Sequence, residues 1–113
     1  MTTRVSRQQL VELEGDVSFR GRLHGDTSVS YIMVEFKPGQ AVRSHRHPYD
    51  EVFVVLEGSV TFTVDNEIVQ ASAGDTVIGP ANVPHAFVNS GAGPLRQINI
   101  HVNADFTTEW LES

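Results

Sequence analysis

Cysteine is missing from this 113-residue chain, and basic residues are scarce. Without cysteine the protein has no disulfide, no thiolate metal site and no cysteine nucleophile, so any metal ion must be held by nitrogen and oxygen atoms. Eight Lys and Arg residues stand against fourteen Asp and Glu residues, which gives a formal net charge of −6. Nucleic-acid phosphates and anionic membranes attract clustered basic residues, so we expect neither a nucleic acid nor a membrane as a partner.

Long apolar runs are also missing. No segment approaches the roughly 18 apolar residues that are needed to cross a bilayer. The N-terminal sequence MTTRVSRQQLVELEG lacks the continuous apolar core of a signal peptide, so we expect a cytoplasmic protein. The length suits a single domain over residues 1–113 with one modest core.

Helical periodicity is almost absent between residues 15 and 103, where Gly and Pro divide the chain into short segments. Such segments, apolar or alternating and separated by turn residues, indicate an all-β sandwich or barrel. Near the N-terminus, Ser6 and Gln9 have the spacing of a helix-capping pair. The expected strands are 29–36, 51–57, 60–64, 68–71, 75–79, 85–88 and 95–102.

The strand EVFVVLE (51–57) is apolar on both of its faces. If its odd-numbered residues point inward, then Val52, Val54 and Leu56 form an apolar outer face. A face of this kind is normally covered by other protein. We expect a homodimer to cover it, and the alternative is that the protein's own N-terminal segment does so.

The end of the chain, residues 104–113, is expected to form a short tail that packs on the barrel. Phe106 and Trp110 are four residues apart, so a single helical turn would place both rings on one face. We interpret this pair as a packing anchor for the tail and not as a functional aromatic site.

Two histidines and a glutamate lie close together in the first half of the chain. His45 and His47 are one residue apart, and Glu51 is four residues further on. Side chains alternate along a strand, so the three share a face if the alternation continues through PYD. Three such donors can bind one metal ion, although an isolated H-x-H pair on a surface strand is more often simply solvated.

Two spaced motifs make the chain resemble the cupin superfamily. The segment 39–58 has the pattern G-x5-H-x-H-x3-E-x6-G, and the segment 74–89 has the pattern G-x5-P-x-N-x2-H-x3-N. The superfamily usually has Gly where this chain has Asn82, and asparagine tolerates a left-handed backbone better than most residues do. The motif glycines and Pro80 are interpreted as turn residues.

The resemblance implies a double-stranded β-helix, or jelly roll, in which His45, His47, Glu51 and His85 bind one divalent metal ion. His85 follows a turn and begins a new strand, which agrees with this role. Two alternatives stay open: His85 as a core histidine bonded to the backbone, and Glu51 as a carboxylate at the rim. Imidazole and carboxylate ligands accept Mn, Fe, Co, Ni, Cu and Zn alike, so the identity of the ion is open as well.

A centre of three imidazoles and one carboxylate leaves two positions of an octahedral ion open for water, O₂ or substrate. We therefore expect an enzyme that acts on a small oxygenated molecule. Oxidative, dioxygenase-like chemistry is favoured, with isomerase or lyase chemistry as the alternative. A module that binds a small molecule without turnover is a further alternative, whereas the intact ligand set argues against a metal-free structural role.

Four further residues are candidate substrate contacts. Arg43 has the parity of His45 and His47, and would either pair with an anionic substrate at the pocket mouth or be a solvated arginine. The other three, Gln97, Asn99 and His101, share one face of the segment 95–102. That face either lines the pocket or faces water.

Overall fold

Strands are the main regular elements of the protein in the computed structural model, which describes residues 2–111. The first elements are a helix α1 (Arg7–Glu14), strand β1 (Ser18–Phe19) and a 3-10 helix (Gly21–Leu23). The longer strands follow in chain order: β2 (Ser30–Phe36), β3 (Ala41–Arg46), β4 (Glu51–Glu57), β5 (Ser59–Val64), β6 (Glu67–Ser72), β7 (Thr76–Gly79), β8 (His85–Asn89) and β9 (Leu95–His101), with a final two-residue strand β10 (Glu109–Trp110).

These strands form two five-stranded antiparallel sheets. Sheet A has the strand order β1-β2-β9-β4-β7, and sheet B has the order β10-β3-β8-β5-β6. The all-β, single-domain jelly roll expected from the sequence is confirmed. Each of the seven predicted strands agrees with an observed strand to within one residue at each end, because alternation and turn residues mark those boundaries clearly.

The core lies between the two sheets. Strand β4 alternates as predicted, with Phe53 and Val55 buried and pointing inward. Phe53 packs against Phe62 of sheet B at a ring-centroid distance of 4.8 Å, and Phe87 lies beside both rings. Aromatic residues bury large areas and prefer such tilted contacts, so this cluster supplies much of the packing between the sheets.

The turn before β8 has the backbone that the second motif requires. Asn82 has a φ of 64°, in the left-handed region where the superfamily usually has Gly. Its backbone N–H donates to the carbonyl of His47 at 2.7 Å, so the turn is also tied to the first motif. The expectation that asparagine would preserve this turn is confirmed.

Both ends of the described chain pack on the sheets. Helix α1 begins with a capping box between Ser6 and Gln9, as the spacing predicted, and it contacts the edge strand β1. Arg20 joins the two ends, because its guanidinium group pairs with both Glu14 of the helix and Asp105 of the tail. These contacts set α1 and the C-terminal tail on the same side of the molecule.

The expected helical turn between Phe106 and Trp110 is wrong. Residues Glu109 and Trp110 are extended and pair with β3 at the edge of sheet B. The extended form is preferred because it adds backbone hydrogen bonds to that edge, including one from Leu111 N–H to the Ser44 carbonyl. Residues 112 and 113 of the expected tail lie outside the described residues.

The outer face of sheet A is apolar. Val52 and Val54 are half-buried, and Leu56 is exposed. Apolar residues continue across the sheet in a row, because Val52 pairs with Ile78 of β7 and with Ile100 of β9. Ile78 is 58% exposed, so helix α1 at the opposite edge leaves this face open.

Among residues 2–111, no helix is both long and apolar enough to cross a membrane.

Candidate metal centre

Four side chains from the two motifs meet at one end of the space between the sheets. His45 lies near the end of β3, His47 directly follows that strand, Glu51 begins β4 and His85 begins β8. Each offers a ligand atom, and these atoms all lie within 4.8 Å of one another. All four residues are at most 5% exposed, so the centre is shielded from bulk water.

Strand register brings the four residues together. In sheet B, His45 pairs directly with His85 across β3 and β8. In sheet A, Glu51 pairs with Gly79 on one side and with His101 on the other. The imidazoles at 45 and 85 therefore come from one sheet and the carboxylate from the other, and they meet across the gap between the sheets.

Hydrogen bonds to backbone carbonyls fix two of the imidazole rings. The Nδ1 atom of His45 lies 2.8 Å from the carbonyl oxygen of Arg43, and the Nδ1 atom of His47 lies 2.8 Å from that of Thr107. A carbonyl oxygen only accepts, so both Nδ1 atoms carry the proton and donate it. In each neutral ring the Nε2 atom then carries a free lone pair, and a nitrogen in this form can bind a metal ion.

The donor set fits a cation. Nε2 of His47 and Nε2 of His85 each lie 3.0 Å from the same atom, Oε1 of Glu51. The Nε2 atom of a neutral His47 ring and the Glu51 oxygen are both acceptors, and at this distance they repel each other unless a proton or a metal ion supplies positive charge between them. Nitrogen and oxygen donors in this number suit a divalent transition metal.

Electrostatics at the centre support the same conclusion. Burial acts to raise the pKa of Glu51, but hydrogen bonds from His101, His47 and His85 outweigh it and hold that pKa well below its usual range. Burial lowers the pKa of His45 to about 4. Burial also acts to lower the pKa of His47, but the Glu51 carboxylate and a backbone carbonyl reverse the effect and raise it. In the metal-free protein the raised pKa therefore favours a protonated His47 ring beside the ionised Glu51, and a bound metal ion would replace that positive charge.

A cavity of about 570 Å³ opens onto the centre. At its polar end lie His45, His47, Glu51 and His101, with Asn99 beside them. Its other walls are mainly apolar and include Val11 of α1, Ile32, Val34, Phe36, Phe87 and Trp110. Such a cavity suits a small molecule that carries polar atoms at one end.

Three of the four candidate substrate residues point into the barrel. Gln97, Asn99 and His101 are 0%, 6% and 4% exposed, so the polar face of β9 is the inward face. Asn99 and His101 line the cavity, and Gln97 donates from Nε2 to Oδ1 of Asn99 at 2.8 Å. This bond occupies the oxygen of the Asn99 amide, so its Nδ2–H group is the part available to a ligand.

Arg43, the fourth candidate, lies further out. It is exposed, and its guanidinium carbon lies 4.7 Å from the ring centroid of Trp110. Trp110 in turn packs on His45 at a centroid distance of 4.7 Å and lines the cavity. The structure thus places Arg43 behind Trp110, and a role for it in substrate binding stays a prediction.

Sequence reasoning did not single out Tyr49 or Thr107, although both contact the centre. The hydroxyl group of Tyr49 lies 2.7 Å from Nδ1 of His101 and accepts a hydrogen bond from Thr107 N–H at 3.0 Å. The sequence does contain an indication for Tyr49, because it alternates with His47 and Glu51 and would share their face in an extended chain. Thr107 makes its contacts through its backbone, so the identity of its side chain could not have indicated them.

Comparison with known families agrees with the two motifs. The family model described as the cupin domain matches residues 32–101, which is more than half of the chain and includes the four residues of the centre. This chain belongs to the cupin domain family. The resemblance found in the two motifs is therefore confirmed.

Two curated relatives of this cupin have different described roles. The HTH-type transcriptional regulator PuuR of Escherichia coli is 26% identical over 106 residues, which cover 90% of this chain and 57% of PuuR. The dimethylsulfoniopropionate lyase DddW of Ruegeria pomeroyi is 34% identical over 84 residues, which cover 71% of this chain and 53% of DddW. The chain therefore spans little more than half the length of these relatives.

A solved structure supports the fold of the cupin. It is an uncharacterized conserved protein with a double-stranded beta-helix domain from Klebsiella pneumoniae. The match has a TM-score of 0.70 and 23% sequence identity, and it covers 76% of each chain. At this identity the likeness supports the architecture alone.

Proposed function

We propose that this cupin is a metal-dependent enzyme that acts on a small oxygenated molecule. His45, His47, Glu51 and His85 would hold one divalent transition metal. The observation that carries the proposal is the approach of two Nε2 atoms to within 3.0 Å of one oxygen of Glu51. A closed structural site would normally be sealed on all sides, whereas this one opens onto a cavity of about 570 Å³.

The bound ion would supply Lewis acidity, or redox chemistry if it is Mn, Fe, Co, Ni or Cu. The protein's own residues bind and orient the substrate. Asn99 offers an amide N–H group at the polar end of the cavity, and apolar residues such as Val34 and Phe87 exclude water from the rest. A substrate with an acceptor oxygen at one end and an apolar body fits this arrangement.

Two reaction classes fit such a centre. Oxidative, dioxygenase-like chemistry is the first, because three imidazoles and one carboxylate leave positions for both O₂ and substrate. Lyase or isomerase chemistry is the second, and the 34% identity to the lyase DddW favours it. Oxygen consumption separates the two classes, since a lyase forms product from its substrate without consuming O₂.

Binding without turnover is a second candidate function. Its support is the similarity to the regulator PuuR, which extends over 90% of this chain. In that case the cavity would take a small metabolite and release it unchanged. Tight binding of a small molecule with neither product nor O₂ uptake, across several metals, would favour this candidate over the enzyme.

We also propose that two copies associate through the apolar outer face of sheet A. The row formed by Ile78, Val52 and Ile100 is too apolar to suit a face in water, and α1 at the opposite edge does not cover it. An exposed apolar face of this kind suits the contact surface of a two-fold symmetric dimer. The cytoplasmic location stays a prediction of the sequence.

The test of the metal centre is metal content after purification from the native host. We expect about one equivalent of a divalent metal for the native protein and loss of that metal in His47→Ala. His24→Ala is the matched control, because His24 stacks on Phe19 and lies outside the centre. Retention of the full metal content in His47→Ala would contradict the assignment.

The test of the reaction class uses the metal-loaded protein in an oxygen electrode with diketones, phenols and keto acids. Uptake of O₂ that depends on substrate, and that Glu51→Ala abolishes, supports oxidative chemistry. Product formation without O₂ uptake supports the lyase or isomerase class. If no compound is turned over but a compound binds, the enzymatic proposal is wrong and the binding function stands.

A further inference from the structure

A chain of hydrogen bonds leads from the C-terminal tail to the carboxylate of the centre. It begins at the backbone N–H of Thr107, which donates to the Tyr49 hydroxyl oxygen at 3.0 Å. The hydroxyl lies 2.7 Å from Nδ1 of His101. Nε2 of His101 lies 3.1 Å from Oε2 of Glu51. Tyr49, His101 and Glu51 are all buried, so water does not compete for these bonds.

With a neutral His101 ring, the chemistry of the groups gives each bond a direction. The ionised carboxylate of Glu51 only accepts, so Nε2 of His101 must carry a proton and donate it. In the neutral ring, Nδ1 is then an acceptor, and it takes the proton of the Tyr49 hydroxyl. The oxygen of that hydroxyl keeps its capacity to accept from Thr107. Each group is thus satisfied in this arrangement.

This arrangement divides the two oxygens of Glu51 between two tasks. Oε2 is occupied by His101, whereas Oε1 lies 3.0 Å from Nε2 of both His47 and His85. A carboxylate held in this way offers one oxygen to an ion and cannot rotate to offer both. Partners of this kind fix the orientation of metal ligands and commonly change metal affinity by about 10–100-fold when they are removed.

The same tail residue also fixes a second ligand. The carbonyl oxygen of Thr107 accepts a hydrogen bond from Nδ1 of His47 at 2.8 Å. The two backbone groups of Thr107 therefore act on different ligands: its carbonyl group orients His47 directly, and its N–H group orients Glu51 through Tyr49 and His101. Strand β10, which follows it, pairs with β3 and holds this segment against the centre.

We propose that Tyr49 and His101 are positioning residues that present Glu51 to the metal ion through Oε1 alone, anchored by the backbone of Thr107. This inference rests on the proposed metal centre. It assigns His101 neither to the ligands nor to the substrate contacts, and it gives the C-terminal tail a part in the site.

The test is the affinity of the purified protein for Co²⁺, measured by titration calorimetry, together with the visible absorption of bound Co²⁺. Tyr49→Phe removes only the hydroxyl group, and we expect it to weaken binding about 10-fold. The absorption bands should also change, because Glu51 becomes free to bind through two oxygens. Tyr31→Phe is the matched control, since Tyr31 stacks on Phe19 away from the centre, and it should bind Co²⁺ as the native protein does.

A second variant tests the same chain at another point and serves if Tyr49→Phe does not fold. His101→Gln should weaken binding by less than His101→Phe, because the Gln amide restores a donor to Oε2. Combining Tyr49→Phe with His101→Phe should cost little more than His101→Phe alone, since both act on one chain of bonds.

Two results would overturn the inference while leaving the metal centre in place. The first is native affinity and absorption in both Tyr49→Phe and His101→Phe. The second is loss of Co²⁺ in His101→Gln as complete as in His47→Ala, which would make His101 a ligand. Failure of the native protein itself to bind Co²⁺ would instead refute the proposed metal centre.

Discussion

His45 and His85 face each other across strands β3 and β8, with a distance of 4.4 Å between their ring centroids. One belongs to the first motif and the other to the second, forty residues further along the chain. Their pairing shows how two motifs that are separate in the sequence form one centre. The register between β3 and β8 is therefore the feature of the fold on which the centre depends most directly.

Replacement of Gly79 should disturb the centre although none of its four residues is replaced. A Cβ atom at this position would lie 3.0 Å from Nδ1 of His85 and 3.3 Å from the Phe53 ring. The imidazole must then shift by a few tenths of an ångström, so we expect Gly79→Ala to weaken metal binding about 10-fold. Calorimetric titration with Co²⁺ measures the effect.

Gly93→Ala is the control for that experiment, because nothing lies within 4 Å of the Cβ atom it would add. It should bind Co²⁺ with native affinity. Equal affinities of Gly79→Ala and Gly93→Ala would show that the position of the His85 ring is not limited by Gly79.

Replacement of Gly58 should instead lower the stability of the whole domain. Gly58 has a φ of 88°, and a Cβ atom there would collide with the backbone carbonyl of Pro94. Both effects penalise any side chain, so we expect Gly58→Ala to reduce the free energy of unfolding by at least about 1 kcal/mol. Urea denaturation followed by circular dichroism measures this change, and a midpoint equal to that of Gly93→Ala would contradict the expectation.

Much of the fold was predictable from the sequence, and the reasons are local. The boundaries of β4 follow from a continuous apolar run and those of β9 from alternating polar and apolar residues, and turn residues flank both segments. The spacing of the two motifs matches the superfamily, and this match predicts the four residues of the centre. That the four atoms meet depends on strand register, which the spacing alone does not determine.

The features that sequence reasoning missed depend on distant partners. Strand β3 contains a bulge between Val42 and His45: the chain advances three residues there, while its partner β8 advances only two. The tail forms strand β10 instead of a helical turn because β3 offers it an open edge. Thr107 contributes only its backbone, so its side chain gave no indication of its contacts with Tyr49 and His47.

The metal-free protein should lose stability as the pH falls from about 6.5 to 4. The pKa of His45 is lowered by burial from 6.5 to about 4 in the folded protein. In this window the unfolded chain binds a proton at residue 45 that the folded protein rejects, so acid favours unfolding. The contribution is at most about 1.4 kcal/mol per pH unit for one proton.

The measurement is urea denaturation of the metal-free protein at several pH values. His45→Gln cannot titrate, so its stability should depend less steeply on pH between 4 and 6.5 than that of the native chain. If the two proteins show the same slope in this window, the folded pKa of His45 is not lowered.

The proposed dimer predicts that a charge on the outer face of sheet A produces monomers. Ile78 is 58% exposed and lies in the apolar row, so Ile78→Lys would place an ammonium group in the contact. Sedimentation equilibrium should give twice the chain mass for the native protein and the chain mass for the variant. Ile68→Lys is the control, because Ile68 is 69% exposed on β6 of the other sheet, and it should remain dimeric. A native protein that sediments as a monomer would refute the dimer.

The positions of the four residues of the centre in the two sheets have a consequence for how the protein denatures. His45 and His85 belong to sheet B and Glu51 to sheet A, so an ion at the centre would clamp the two layers to each other. In a chain without cysteine, this clamp would take the place of a covalent staple. It would be adjustable, because ligand binding to the native state adds about 2.7 kcal/mol when the free ion is at 100 times its dissociation constant. The melting temperature would then rise with the supply of metal, and chelation would loosen the barrel at the end where the cavity lies.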